Sequence, residues 1–250
     1  MKPNYPDRTM RTEQYLSARE ALDSLTAHLR NMTKRKPGGH PFHLALSGGN
    51  TAIQMFTLWR EEYADLIRWK DIHFYWVDER CVPPTHPESN YGQAKREFLM
   101  PLGIPDEHVF RIRGEEPPEI EALRYSDNVM RLLPQRDGMP VFDCIILGAG
   151  ADGHTASLFP GDVQALKSEQ PYITTVHPQT GQRRISMSGT ILLNYSPILL
   201  PLVGRDKKDI TDRILDGKET GPLLPAAYIL SRAKDARLYC QTEPENKAAG

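Results

Sequence analysis

Residues 142–154 read Phe142-Asp143-Cys144-Ile145-Ile146-Leu147-Gly148-Ala149-Gly150-Ala151-Asp152-Gly153-His154. The run FDCIIL is the short, almost continuously apolar kind that a parallel strand buried on both faces requires. It breaks into a glycine-rich loop carrying a carboxylate and an imidazole. The same pattern recurs upstream. Phe42 to Leu46 leads into Ser47-Gly48-Gly49-Asn50-Thr51, and Ile72 to Val77 ends at Asp78-Glu79-Arg80, followed by a proline-rich loop to Asn90. Tyr172 to Val176, Ile185 to Met187, Ile198 to Val203 and Ala236 to Cys240 are further candidate strands.

Helical periodicity fills the intervals. Leu22, Leu25, Leu29 and Met32 recur at steps of three and four, and Pro37-Gly38-Gly39 ends the pattern. Ala52, Ile53, Met55, Phe56 and Trp59 form a second apolar stripe, and helices are expected at Asn90 to Met100, Pro118 to Leu133 and Lys207 to Leu215. Strands alternating with helices predict an α/β fold, a mostly parallel Rossmann-like sheet with helices on both faces. No shift in composition marks a boundary, so residues 1–250 are expected to form one domain, with polar, flexible ends at 1–11 and 242–250.

With 31 Lys+Arg against 32 Asp+Glu the formal charge is −1, which gives no electrostatic case for nucleic acid or an anionic membrane as partner. No apolar stretch approaches the ~20 residues that span a bilayer, and the N-terminus lacks a signal-peptide core, so a soluble, cytoplasmic protein is expected. The three cysteines form no CxxC pair and the histidines no HExxH spacing, so no metal is expected. Without a GxSxG elbow, acyl-enzyme chemistry is not expected either. Oligomeric state has no signature in the sequence. Proline is in excess, and Pro83, Pro84, Pro87, Pro160 and Pro178 border the loops described next, where they would stiffen them.

Open parallel sheets bind ligands beyond the carboxyl ends of their strands, so these loops are where a site is sought. Ser47-Gly48-Gly49-Asn50-Thr51 sits between strand and helix, where glycines let the backbone approach an anion and the helix presents free N–H groups. It lacks the Gly-Lys-Ser/Thr ending of a nucleoside-triphosphate loop, so a small phosphorylated molecule suits it better; a tight turn with a helix cap is the structural alternative. Arg80, beside Asp78 and Glu79, is suited to stabilise an oxyanion or to form a surface ion pair. Gly148 to Gly153 matches GxGxxG, but Pro160 and Gly161 stop any helix within about two turns, against a dinucleotide fingerprint. What the loop holds is Asp152-Gly153-His154, an imidazole two residues from a carboxylate able to fix its tautomer, set against the alternative of an exposed loop histidine.

Taken together, Ser47–Thr51, Asp78-Glu79-Arg80-Cys81-Val82-Pro83 with Ser89-Asn90, and the long block from Leu147 to Gly161 resemble the 6-phosphogluconolactonase family. Weaker similarity at Pro178 to Ser186, Gly204 to Lys207 and Leu224 to Ala227 extends it over roughly residues 12–240. A C-terminal Trp-x-x-Asp pattern of the family is replaced here by Leu238-Tyr239-Cys240-Gln241-Thr242. The resemblance implies a fold shared with glucosamine-6-phosphate deaminases and ribose-5-phosphate isomerases, and hydrolysis of 6-phospho-D-glucono-1,5-lactone, a phosphorylated sugar lactone of the pentose phosphate pathway, without a cofactor. It implies His154 as general base with Asp152 beside it and Arg80 at the active site. Phosphate would be held by the SGGNT loop, Lys207 and an arginine of the Arg183-Arg184-Ile185 segment, of which Arg184 aligns with the family's Arg-Ile pair; Asp78 is included among the binding residues. The sister deaminases place a glutamate before the proline that follows their own DGH loop. Here that residue is Phe159, which favours the lactonase over a deaminase or isomerase. A sugar-phosphate sensor is the remaining alternative.

Overall fold

The computed structural model describes residues 10–216 and 223–242. In chain order these form β1 (Arg11–Tyr15), α1 (Ala18–Arg35), β2 (Phe42–Leu46), α2 (Asn50–Glu62), β3 (Ile72–Trp76), β4 (Asp78–Arg80), α3 (Asn90–Ala94), α4 (Pro118–Leu132), β5 (Gln135–Arg136), β6 (Met139–Pro140), β7 (Cys144–Ile146), α5 (Val163–Lys167), β8 (Tyr172–Val176), β9 (Arg183–Met187), α6 (Gly189–Leu192), β10 (Ile198–Leu202), α7 (Lys208–Asp216), α8 (Pro225–Arg232) and β11 (Ala236–Gln241). A single π-helical turn, Lys95–Leu99, continues α3, so the helix expected from Asn90 is present with a widened second half.

Six strands make one parallel sheet in the order β1-β11-β10-β7-β2-β3. The central strands are apolar because both faces are covered: every residue of β2, β7 and β10 is buried. Pro201 lies inside β10, yet costs no ladder bond. Pairing with β7 stops at Leu199–Ile146, and Pro201, two residues further on, turns its missing N–H toward that same side, beyond the end of β7. Helix α1 starts with a reciprocal capping box between Ser17 and Glu20 and buries Leu22, Leu25 and Leu29 against the sheet. The mostly parallel α/β sheet flanked by helices agrees with the sequence expectation.

Three features depart from it. Of residues 1–11, expected as a flexible end, only Met10 and Arg11 lie within the described residues, and Arg11 opens an edge strand, β1, paired with β11. Thr242, expected to begin the flexible tail, donates its N–H to Tyr15 O (2.9 Å), while residues 243–250 lie outside the described residues. Strands β8 and β9 do not join the parallel sheet. They pair antiparallel with each other, and β9 pairs antiparallel with β4, in a separate three-stranded sheet. Their antiparallel pairing follows from length: Val176 and Arg183 are too close in sequence for a parallel crossover, which needs a dozen residues or more.

The chain changes sheets at one residue. Val77 N–H donates to Leu46 O of the parallel sheet (2.9 Å), and Val77 O accepts from Met187 N–H of the small one (2.8 Å). The segment placed at a strand end, Asp78-Glu79-Arg80, is therefore itself a strand aligned with β9, and helix α4 packs on β8 and β9.

Candidate active site

Because β10, β7 and β2 are neighbours, the loops at their carboxyl ends are neighbours too. Ser47 joins two of them: its N–H donates to Ile146 O (3.2 Å) and its Oγ accepts from Gly148 N–H (3.1 Å). A Cβ on Gly48 would lie 1.9 Å from Asn90 Oδ1, so only glycine fits against that side chain. Gly49 has φ +91°, and its N–H reaches Gln93 Oε1 (3.4 Å); Gln93 Nε2 donates to Pro87 O (2.9 Å), which ties the first loop to the proline-rich one. Asn50 and Thr51 occupy the first turn of α2, at whose start no side chain caps the free N–H groups.

In β4 the alternation of a strand separates three charged neighbours. Glu79 is buried and accepts four hydrogen bonds: from Arg80 N and Asn90 N (both 2.8 Å) at Oε1, and from Ser89 Oγ (3.0 Å) and Tyr91 N (2.9 Å) at Oε2. Burial raises its pKa to about 7 against the pull of those donors. Asp78, also buried, accepts from Asn90 Nδ2 (3.2 Å) and from Ser157 Oγ (2.6 Å). Arg80 donates through Nη1 to Glu88 O (2.6 Å) while its buried Nε has no partner. Opposite it in β9 is Arg184, buried, with Nη1 at Ser157 Oγ (3.4 Å), Nη2 at Gln182 Oε1 (3.2 Å) and an unpartnered Nε. Burial lowers the pKa of Arg184. Its neighbour Arg183 points elsewhere, to an exposed ion pair with Glu119.

The Gly148–Gly161 loop folds back on itself. Gly150 N–H donates to His154 O (2.9 Å), Gly153 N–H to Gly150 O (3.0 Å), and Thr155 Oγ1 to Gly148 O (2.7 Å). His154 and Asp152 lie over Gly150, where a Cβ would come within 2.2 Å of His154 Cε1 and 2.5 Å of Asp152 Oδ1. Ala156 is held at φ +53°, a left-handed conformation unusual for a residue with a side chain, and the next residue, Ser157, reaches Asp78. His154 Nδ1 is 2.6 Å from Asp152 Oδ1, which also accepts from His154 N (3.2 Å). Burial pushes the Asp152 pKa up, but the His154 charge and these hydrogen bonds outweigh it, so the net shift is downward. Phe159 is buried under the imidazole at 5.2 Å between ring centres, and the Arg184 guanidinium is 5.7 Å from the same ring.

The profile of the family described as Glucosamine-6-phosphate isomerases/6-phosphogluconolactonase matches residues 13–239. The chain belongs to that family. A 6-phosphogluconolactonase of Treponema pallidum is 42% identical over 67% of this chain and 69% of its own length, and one of Haemophilus influenzae is 40% identical over 77% and 82%. Among solved structures, the DevB protein is 35% identical with a TM-score of 0.82 over 96% of this chain and 100% of that one. A monomeric glucosamine-6-phosphate deaminase, 22% identical, has a TM-score of 0.75 over 94% of this chain and 98% of its own. The fold is thus common to both branches of the family, and the side chains must separate them.

Within this member of the glucosamine-6-phosphate isomerase/6-phosphogluconolactonase family, the residues singled out in the sequence fall into two groups. Ser47, Asp78, Arg80, Asp152, His154 and Arg184 are linked by the hydrogen bonds, strand register and ring contacts just given. Lys207 ends a 3₁₀ turn (Arg205–Lys207) after β10, three residues before Ile210, whose side chain packs beside Gly153; its ammonium pairs with Asp206 at 3.1 Å. Sequence reasoning missed Ser157, which bridges Asp78 and Arg184, and His177, whose ring is 5.0 Å from Phe159. Ser157 was quoted inside a motif without a role, and the turn-forming Pro178-Gln179-Thr180-Gly181 beside His177 is the signal that would have placed that histidine at a hairpin tip. Among the described residues no cluster of His, Cys, Asp and Glu is suited to hold a metal ion, and no helix is long and apolar enough to cross a membrane.

Proposed function

We propose that this chain hydrolyses 6-phospho-D-glucono-1,5-lactone to 6-phospho-D-gluconate, with His154 as general base. The observation that carries the reading is the His154–Asp152 pair at 2.6 Å, set against the apolar ring of Phe159, which also faces the guanidinium of the buried Arg184. Asp152 takes the Nδ1 proton of His154 in a hydrogen bond, which leaves Nε2 as the acceptor. The substrate phosphate is held by the Ser47–Thr51 loop, Arg184 and Lys207, and this orients the lactone. Water attacks C1 as Nε2 takes its proton, and the carbonyl oxygen becomes an oxyanion stabilised by Arg80. When the oxyanion reforms the carbonyl, the bond from C1 to the ring oxygen breaks and the imidazolium returns its proton to that oxygen. His154 takes a proton from water and returns it to the ring oxygen, the carboxylic acid formed releases its own proton to solvent, and the scheme uses no cofactor. A general base of this kind contributes roughly 10²–10⁴-fold.

Phe159 argues against the deaminase branch, because an apolar ring at that position cannot exchange protons with a sugar carbon. The deciding measurement is turnover of freshly generated phosphorylated lactone beside the unphosphorylated lactone. Faster hydrolysis of the phosphorylated one is expected. Equal rates would remove the phosphate site, and ammonia release from glucosamine 6-phosphate without lactone hydrolysis would move the chain to the other branch.

A further inference from the structure

The β8–β9 hairpin brings a second imidazole to the site. His177 follows β8 directly; its N–H donates to Gln182 O and its C=O accepts from Gly181 N–H, both at 2.9 Å, which closes the hairpin tip. Gln182 anchors that tip on two sides, donating through Nε2 to Glu88 Oε2 (2.8 Å) and accepting at Oε1 from Arg184 Nη2 (3.2 Å). The His177 ring stands edge-on to Phe159 at 5.0 Å, and Phe159 is 5.2 Å from His154, so a single aromatic ring separates the two imidazoles. Burial lowers the pKa of His177, and the charges of Arg184, His154 and Arg80 lower it further while Asp152 opposes them.

The two histidines differ in which nitrogen carries hydrogen. His177 Nδ1 lies 3.2 Å from Gln179 N and 3.3 Å from Thr180 N, and a ring nitrogen that accepts backbone N–H groups is unprotonated. The ring proton is therefore on Nε2, on the side away from the turn. A second proton on Nδ1 would break both turn contacts, so this imidazole is built to stay neutral and to donate. His154 is the reverse, with its Nδ1 against the carboxylate of Asp152.

Resting on the reading of the site as a phosphorylated-lactone hydrolase, we infer that His177 is a substrate-binding residue whose Nε2–H donates to an oxygen of the phosphorylated ligand on the Arg184 side of Phe159, with no share in proton transfer. His154 is then the base and His177 the donor.

The test uses His177→Asn and His177→Gln in the full-length chain. Asparagine keeps an acceptor for the turn amides but loses the outward donor; glutamine keeps the reach of a donor. For His177→Asn, KM for the lactone and Kd for 6-phosphogluconate should each rise about ten-fold, the worth of one hydrogen bond, with kcat within about two-fold, and His177→Gln should recover part of the loss. Unchanged KM and Kd in His177→Asn would show that the ring only closes the turn, and a fall in kcat at constant KM would show proton transfer; either overturns the inference. Failure of the wild-type chain to hydrolyse the lactone would instead remove the lactonase reading. Binding of 6-phosphogluconate by the same variants would still decide the role of His177.

Discussion

Arg80 and Arg184 are directly opposed in the antiparallel β4–β9 pair, so their side chains leave the same face of the small sheet. Like charges placed this way repel, and partial burial strengthens the repulsion. The basicity of Arg184 is lowered first by burial and further by Arg80, while Asp78 acts in the opposite sense. Ser157 makes the compensation local, donating to Asp78 Oδ2 (2.6 Å) and accepting from Arg184 Nη1 (3.4 Å). Both guanidiniums keep an unpartnered, buried Nε. An anion between them would relieve the repulsion, and under the proposed function this is how a chain of net charge −1 would select a small phosphorylated ligand.

The two arginines are expected to fail differently when neutralised. Arg184→Met keeps the apolar stem but removes the charge, and it should weaken 6-phosphogluconate binding by about 10–100-fold, the range for a charged hydrogen bond. Its thermal midpoint should not fall, since a repulsive pair has been relieved. Arg80→Met should lower kcat by about 10²-fold, as loss of an oxyanion donor does, with a smaller effect on product affinity. Equal effects of both substitutions on the same constant would refute this division of labour.

His154→Ala should lose roughly 10²–10⁴ in turnover while still binding 6-phosphogluconate, because it leaves the phosphate contacts in place. Asp152→Asn is the more specific probe. Its amide can donate to Nδ1, which favours the tautomer with the proton on Nε2 and so blocks the base. Turnover of Asp152→Asn near the wild-type rate would mean that the 2.6 Å contact only shapes the loop.

Most of the parallel sheet was legible because burial on both faces leaves a mark: FHLAL, IHFYW and CII read as strands and are strands. Strand β1 leaves none, since RTEQY is a half-exposed edge strand whose side chains are polar. The Asp78–Arg80 segment reads only as the end of the preceding strand because its burial comes from hydrogen bonding and not from apolar contact, and the register with β9 reveals a strand of its own. His154, Asp152, Arg80 and Arg184 stand in short glycine-rich or charged motifs, which is why the sequence singles them out. Ser157 and His177 carry no such mark, because the contact of one to Asp78, 79 positions away, and the ring contact of the other to Phe159 have no local signature.

Glu79 and His43 are expected to pull stability in opposite directions with pH. The folded Glu79 carboxyl lies near 7 against an ordinary 4.5, so between those values the folded chain holds more proton than the unfolded one and stability falls as pH rises. Burial lowers His43 from 6.5 to about 4, so there the folded chain holds less proton and stability rises with pH. Each shift corresponds to roughly 3 kcal/mol at about 1.4 per unit, and in the wild type they largely offset. Glu79→Gln removes one side of the balance. Its thermal midpoint should therefore climb more steeply than that of the wild type between pH 5 and 7, while His43→Asn should climb less. Parallel curves for all three proteins would rule out the ionisation of Glu79 as a determinant of stability.

Gly150→Ala tests whether the His154–Asp152 pair, catalytic in the proposed function, depends on a bare backbone beneath it. The new methyl would lie 2.2 Å from His154 Cε1 and 2.5 Å from Asp152 Oδ1, closer than nonbonded atoms can stand, so the imidazole, the carboxylate or both must move. Gly150 lies in a partly exposed loop outside the hydrophobic core, and the wild-type contacts there are with side chains that can swing toward solvent. Folding should therefore survive with a thermal midpoint within a few degrees of wild type, while displacement of the base by about 1 Å costs roughly 10² in kcat. Gly49→Ala offers a contrast, since its Cβ position is open and the strain comes from φ +91° alone. That variant should weaken phosphate binding by distorting the loop, while leaving His154 and Asp152 in place. If Gly150→Ala keeps full turnover, the His154–Asp152 geometry is not what sets the rate.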